Sequence, residues 1–207
     1  MISEKYKAIF IHIPKTGGTS IKEILKLHGF KICNLNPPDG TDDNKTGKYK
    51  LGTANRLKRW FTDEKWNSYF KFCFVRNPYT RMVSNYYFLK LNEVMSFSQF
   101  IKFQPNEINN RSSAMRHIIW HSELSQSNHI FNKKGIKMVD FIGKLETIQD
   151  DFDKICGKIG ILSQKLPHVN KRDDKINVVK NDMEFLTLKN KREIHQKYLV
   201  DFENFNY

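Results

Sequence analysis

The chain has 207 residues, of which 39% are hydrophobic and 13% aromatic, so it can bury a core and is not a disordered segment. We expect one domain over residues 1–207, without a transmembrane segment, because no apolar stretch reaches the roughly 18 residues that a bilayer requires. The net charge of +13 indicates either polyanionic ligands or a lysine-rich composition, and the sequence leaves both readings open. The aromatic residues are not interleaved with basic ones, so we expect no nucleic-acid partner.

The first element predicted along the chain is a buried strand over Ala8 to Ile13, which Pro14 ends because proline donates no hydrogen bond to a sheet. Apolar residues at helical spacing follow from Ile21. The loop between strand and helix consists of Lys15, Thr16, Gly17, Gly18, Thr19 and Ser20. Glycines let backbone N–H groups converge on a ligand, and the helix dipole adds positive potential, so the loop predicts a phosphate-binding site. The plainer alternative is a glycine turn before a helix.

The lysine of this loop stands before both glycines, whereas the nucleoside-triphosphate loop places its lysine after the last glycine. The order Pro-Lys-Thr-Gly-Gly-Thr-Ser resembles instead the 5′-phosphosulfate loop of sulfotransferases that use 3′-phosphoadenosine 5′-phosphosulfate (PAPS). The resemblance implies that Lys15 is catalytic and that residues 15–20 bind the cofactor.

A polar loop from Gly29 to Gly47 and a short helix within Tyr49 to Trp60 are predicted next, and we place the acceptor-binding surface there. The second buried strand is Tyr69 to Val75, after which Asn77 is a candidate helix N-cap. Pro78 then occupies the first helical position.

The segment FVRNPYTRMVSNYY resembles the 3′-phosphate-binding segment of the same sulfotransferases. The resemblance implies that Arg76 and Ser84 hold the 3′-phosphate of PAPS, and a guanidinium at a helix N-terminus suits a phosphate. The alternative for Arg76 is a surface arginine that caps a helix.

The remaining chain carries fewer motifs. Ser96 to Asn132 is predicted to be mostly helical, and its HIIWH sequence lacks the glutamate of zinc proteases, so we expect no metal at His117 and His121. Met138 to Ile142 is predicted as a third strand, followed by a helix through Ile159. The segment after this strand resembles a largely structural part of the family, through Gly143, Glu146, Asp151 and Phe152. The segment beginning Leu-Pro-His resembles the start of a basic loop that closes over the nucleotide in the family. The resemblance therefore implies cofactor contacts for Lys171 and Arg172.

Taken over nearly the whole chain, the resemblance implies an α/β, P-loop-like three-layer fold with a central parallel sheet flanked by helices. The implied reaction is metal-independent transfer of a sulfuryl group from PAPS to a hydroxyl. The implied acceptor is a carbohydrate, and the basic surface favours an anionic one. Cys33, Cys73 and Cys156 are odd in number and far apart, and no signal-peptide pattern opens the chain, so we expect a cytoplasmic location.

One position departs from the family pattern. Many relatives carry a histidine where Leu51 stands here, and that histidine serves as the general base. Three explanations stay open: another residue is the general base, the acceptor needs less help in losing its proton, or the chain is inactive. His12 stands just before the loop and is interpreted as structural. The alternatives to the enzyme are a non-catalytic protein of this fold that binds polyanions or nucleotides, and a P-loop kinase of small molecules.

Overall fold

The computed structural model describes residues 1–32, 53–102, 124–167 and 184–207. Within them one sheet is formed, with the spatial order β1-β2-β3-β4. Its strands are β1 (Ile2–Ser3), β2 (Ala8–Ile11), β3 (Phe70–Val75) and β4 (Phe141–Lys144). Strand β1 is antiparallel to β2, whereas β2, β3 and β4 are mutually parallel. The prediction of an α/β fold with a central parallel sheet is therefore confirmed.

The helices described are α1 (Gly18–Leu27), α2 (Ala54–Lys58), α3 (Asp63–Ser68), α4 (Pro78–Phe88), α5 (Phe97–Lys102), α6 (Gln126–Ile130), α7 (Ile148–Ile159), α8 (Leu188–Lys197) and α9 (Leu199–Phe205). Short 3₁₀ turns cover Leu91–Glu93 and Leu145–Thr147. In the ranges that the structure describes, no helix combines the length and the apolar character that a membrane span requires.

The chain divides into two compact units, the first formed by residues 1–75 and 126–169 and the second by residues 76–125 and 170–207. The first unit contains the sheet. One sheet face packs on α1 and α7 and includes three buried phenylalanines, Phe10, Phe72 and Phe74. The opposite face is also buried, since Ile9 and Ile11 are fully covered. Strands buried on both faces explain why they read as continuous apolar runs.

The second unit is helical. Its core joins α4, α5, α8 and α9 through Met82, Val83, Phe97, Phe100, Ile194, Tyr198 and Phe202. The chain ends in α9, whose Phe202 and Phe205 are buried.

All three predicted strands have different bounds in the structure, the second by one residue, since β3 begins at Phe70 and not at Tyr69. The first ends at Ile11 and not at Ile13, because the Ile13 carbonyl accepts from the Thr16 hydroxyl at 2.9 Å and so belongs to the loop. The third begins at Phe141 and not at Met138. Its predecessor Asp140 uses its carboxylate to accept from the Lys71 N–H at 2.7 Å, so the regular ladder starts one residue later.

Candidate functional site

The candidate loop lies at the carboxyl edge of the sheet in the first unit. Strand β2 pairs with β3 in parallel, with Ile11 beside Cys73, and β3 pairs with β4, with Val75 beside Lys144. The three strands therefore end at one edge, and residues 12–17 connect β2 to α1 there. Open parallel sheets bind their ligands at this edge.

The backbone of the loop is held in an uncommon conformation. Lys15 has φ of 68° and Gly17 has φ of 78°, both in the left-handed region. For a lysine this conformation costs about 1 kcal/mol, so other contacts must fix it. The Thr16 hydroxyl donates to the Ile13 carbonyl, and the Ser20 N–H donates to the Gly17 carbonyl at 3.1 Å. The first bond spans the lysine, and the second forms the turn that follows it.

Helix α1 begins without a side-chain cap. Its N-cap is Gly17, which has no side chain, and no acidic residue stands in the first turn. The N–H groups of a helix's first turn need an acceptor from elsewhere, and the macrodipole favours a negative one. The start of α1 is thus suited to an anion that approaches the main chain directly.

Close packing explains the first glycine of the loop. A Cβ built on Gly17 would lie 2.6 Å from Ile148 Cδ1 and 2.7 Å from Leu145 Cδ1. Sequence reasoning missed these two residues, because an apolar pair three apart after a strand is too common a pattern to indicate a loop contact. They connect the segment after β4 to the phosphate-binding candidate.

The predicted loop residues divide by exposure. Thr16 is fully buried, and its hydroxyl is already used within the loop. Lys15, Thr19 and Ser20 are half-buried, so part of each reaches the surface. Thr16 thus contributes to the structure of the loop itself, while the lysine and the two later hydroxyls are partly open to solvent.

The segment after β4 is held by a buried carboxylate. Asp151 accepts from the Lys144 N–H at 2.9 Å, the Thr147 hydroxyl at 2.7 Å and the Lys154 ammonium at 3.0 Å. Burial raises the pKa of Asp151, but these donors outweigh it and leave the pKa below its ordinary value. The Phe74 ring fills the space beside Gly143. These contacts agree with a structural role for this segment.

In the second unit, Arg76 and Ser84 are both half-buried. Asn77 caps α4 as predicted, its carboxamide accepting from the Tyr79 N–H at 2.9 Å, and Pro78 begins the helix. Arg76 Nε donates to Thr80 Oγ1 at 2.9 Å, which orients the guanidinium.

Arg81, by contrast, belongs to the core of the second unit. It is only 2% exposed and donates from Nη2 to the Leu124 carbonyl at 3.2 Å. Burial lowers its pKa, while Tyr198 and Asp201 act in the opposite sense. Arg81 is therefore enclosed in the helical core, whereas Arg76, just before α4, is half-buried.

Several predicted positions lie outside the described residues: Leu51, His117, His121, Lys171 and Arg172. The short helix expected between residues 49 and 60 is present as α2. Among the residues that the structure describes, no three His, Cys, Asp or Glu side chains cluster as metal ligands would.

Comparisons with known proteins place these features in a family. The chain is 27% identical to human carbohydrate sulfotransferase 9 over 237 residues, covering 100% of this chain and 52% of the relative. It is 30% identical to carbohydrate sulfotransferase 10 of Xenopus laevis over 86 residues, 40% of this chain and 23% of the relative. The chain thus spans about half the length of the human relative, and its match covers 23% of the frog one.

A solved structure is also similar. The crystal structure of a sulfotransferase from Alicyclobacillus acidocaldarius aligns with a TM-score of 0.35 and 14% identity, over 72% of this chain and 58% of that chain. The model of the sulfotransferase family matches residues 1–207, so this chain belongs to the sulfotransferase family.

Proposed function

We propose that the protein transfers a sulfuryl group from PAPS to a carbohydrate hydroxyl. One observation carries the proposal. Lys15 and Gly17 both have a left-handed backbone conformation, and Gly17 is the N-cap of a helix that has no side-chain cap. The backbone supplies amides for a phosphate, and the lysine supplies a charge beside it.

The loop is assigned to the 5′-phosphate of PAPS. Amides at the start of α1 would receive the phosphate oxygens, and the half-buried Thr19 and Ser20 add hydroxyl donors. Lys15, which stands ahead of the glycines, would contact the oxygen that bridges phosphorus and sulfur.

The assignment of Arg76 and Ser84 to the 3′-phosphate stays a prediction from the sequence. Two features of the second unit support it: the guanidinium is oriented by Thr80, and it stands just before the N-terminus of α4. A phosphate binds well to an oriented guanidinium because two N–H groups can donate to it in parallel.

The proposed reaction is a displacement at sulfur. The acceptor oxygen forms a bond to sulfur while the bond between sulfur and the bridging oxygen breaks. Its electron pair stays on that oxygen, which becomes part of the 5′-phosphate of adenosine 3′,5′-bisphosphate. Lys15 would stabilise this developing charge, and the acceptor proton passes to a base that the sequence does not identify.

The acceptor class rests on the relatives, which are named carbohydrate sulfotransferases. The net charge of +13 supports an anionic glycan. A cytoplasmic location also stays a prediction; Cys73 and Cys156, both buried free thiols, are compatible with it.

Calorimetry with adenosine 3′,5′-bisphosphate, adenosine 5′-monophosphate and ATP tests the nucleotide. We expect magnesium-independent binding that is much tighter for the bisphosphate. Equal affinity for the bisphosphate and the monophosphate would overturn the 3′-phosphate assignment, and a magnesium-dependent preference for ATP would indicate a kinase.

Release of the bisphosphate from PAPS in the presence of sulfated and neutral glycans then tests catalysis, and binding without turnover would support the non-catalytic alternative.

A further inference from the structure

The second glycine of the loop faces a histidine. A Cβ built on Gly18 would overlap Cδ2 and Nε2 of His12 and would lie 3.2 Å from its Cγ. Gly18 is the first residue of α1, and its φ is not in the left-handed region. The glycine is therefore required by the imidazole beside it and not by the backbone conformation.

The imidazole also lies beside an aromatic side chain of the sheet core. Its ring centroid lies 6.0 Å from that of Phe10, and Phe10 in turn stacks on Phe72 at 5.3 Å. Phe10 and Phe72 are at most 1% exposed, so the histidine cannot move inward without disturbing the sheet core. His12 thus connects that core to the first turn of α1.

We propose that His12 is a positioning residue for the 5′-phosphate, which rests on the function proposed above. Its ring fixes the distance between the end of β2 and the start of α1, and the amides that would hold the phosphate belong to that helix start. Placement errors of about an ångström at a reacting group cost roughly a hundredfold, so a rigid support here bears on catalysis.

The test is a double-mutant cycle of His12→Ala, Gly18→Ala and both together. Calorimetry measures binding of adenosine 3′,5′-bisphosphate and of adenosine 3′-monophosphate, which lacks the group that the loop holds. Gly157→Ala serves as the control, because that α7 glycine has nothing within 4 Å of the added methyl. Thermal unfolding of every variant accompanies the binding measurements.

We expect His12→Ala to reduce the preference for the bisphosphate by about tenfold, the scale of one lost positioning contact. Gly18→Ala should reduce it by at least as much, and the double variant should be no worse than Gly18→Ala. This is because His12→Ala leaves room for the methyl group that Gly18→Ala adds. Gly157→Ala should leave the preference unchanged.

Additive losses in the cycle, or equal weakening of both nucleotides, would overturn the positioning role while leaving the proposed function intact. A wild-type protein that shows no preference for the bisphosphate would overturn the proposed function and this inference together. Where Gly18→Ala does not fold, His12→Ala decides alone: an unchanged nucleotide preference overturns the role of His12.

Discussion

The turns that follow β2 and β3 begin their helices in different ways. The first uses the main chain: Lys15 and Gly17 are left-handed, and the N-cap has no side chain. The second uses side chains: Asn77 caps the helix, and Arg76 donates to Thr80. None of the residues from Arg76 to Pro78 has a positive φ.

The difference indicates what each turn offers to a ligand. A helix start that is already capped by a carboxamide has one fewer amide to give, so the proposed binding of a phosphate at the second turn would depend on the guanidinium of Arg76. The uncapped start offers its amides, which hold an anion without rotamer entropy to lose. Anion binding by backbone amides cannot be removed by truncating one side chain, whereas anion binding by a guanidinium can.

The largest expected effect concerns Lys15. Lys15→Met keeps the chain length and removes the charge, and we expect turnover to fall by about 10²–10³, the range for one lost oxyanion donor. Binding of adenosine 3′,5′-bisphosphate should change much less, because the interaction strengthens as charge develops on the leaving oxygen. Lys26→Met, at the exposed end of α1, is the matched control. Equal losses of turnover and binding would make Lys15 a phosphate clamp.

The next effect concerns Gly17. We expect Gly17→Ala to lower the free energy of unfolding by about 2–4 kcal/mol, since left-handed strain adds to overlap with Leu145 and Ile148. Gly160→Ala is the control, with φ of 72° and nothing within 4 Å, and should cost about 1 kcal/mol. Urea unfolding measures both, and equal costs would show that the two apolar side chains do not support the loop.

Much of this contrast could be predicted from the sequence, because it depends on local signals. Glycines after an apolar run, and asparagine followed by proline, define a loop and a helix start through backbone chemistry alone. The parallel strands followed from their apolar composition. What the sequence could not supply was tertiary: Leu145 and Ile148 reach Gly17 from more than a hundred residues away.

Arg81 illustrates the same limit. It stands three residues before Ser84 in the sequence and is an arginine like Arg76, yet it is buried in the helical core near Asp201. Helical spacing places a residue on a face, but the neighbouring helices decide whether that face is buried. The shifted start of β4 has a similar cause, since the carboxylate of Asp140 takes over a sheet partner.

At the second turn, Arg76→Ala should weaken binding of adenosine 3′,5′-bisphosphate by about 1.5–3 kcal/mol, the usual worth of hydrogen bonds to a charged group. Affinity for adenosine 5′-monophosphate, which lacks the 3′-phosphate, should remain within about twofold. Thr80→Val removes the acceptor that orients Arg76 and should give a smaller loss. Similar weakening of both nucleotides by calorimetry would contradict the 3′-phosphate assignment.

The smallest effect concerns the cap itself. Asn77→Ala removes the acceptor of the Tyr79 N–H and should lower the free energy of unfolding by about 1 kcal/mol. Thr62→Ala, which removes the equivalent cap of α3, is the control and should cost a similar amount.

Asn77→Asp separates stability from recognition, because aspartate caps as well as asparagine but adds a negative charge beside Arg76. We therefore expect Asn77→Asp to unfold like the wild type and to bind the bisphosphate more weakly, with affinity for adenosine 5′-monophosphate retained. If Asn77→Asp binds both nucleotides as the wild type does, the 3′-phosphate does not lie at the start of α4, and the second turn is only a capped helix.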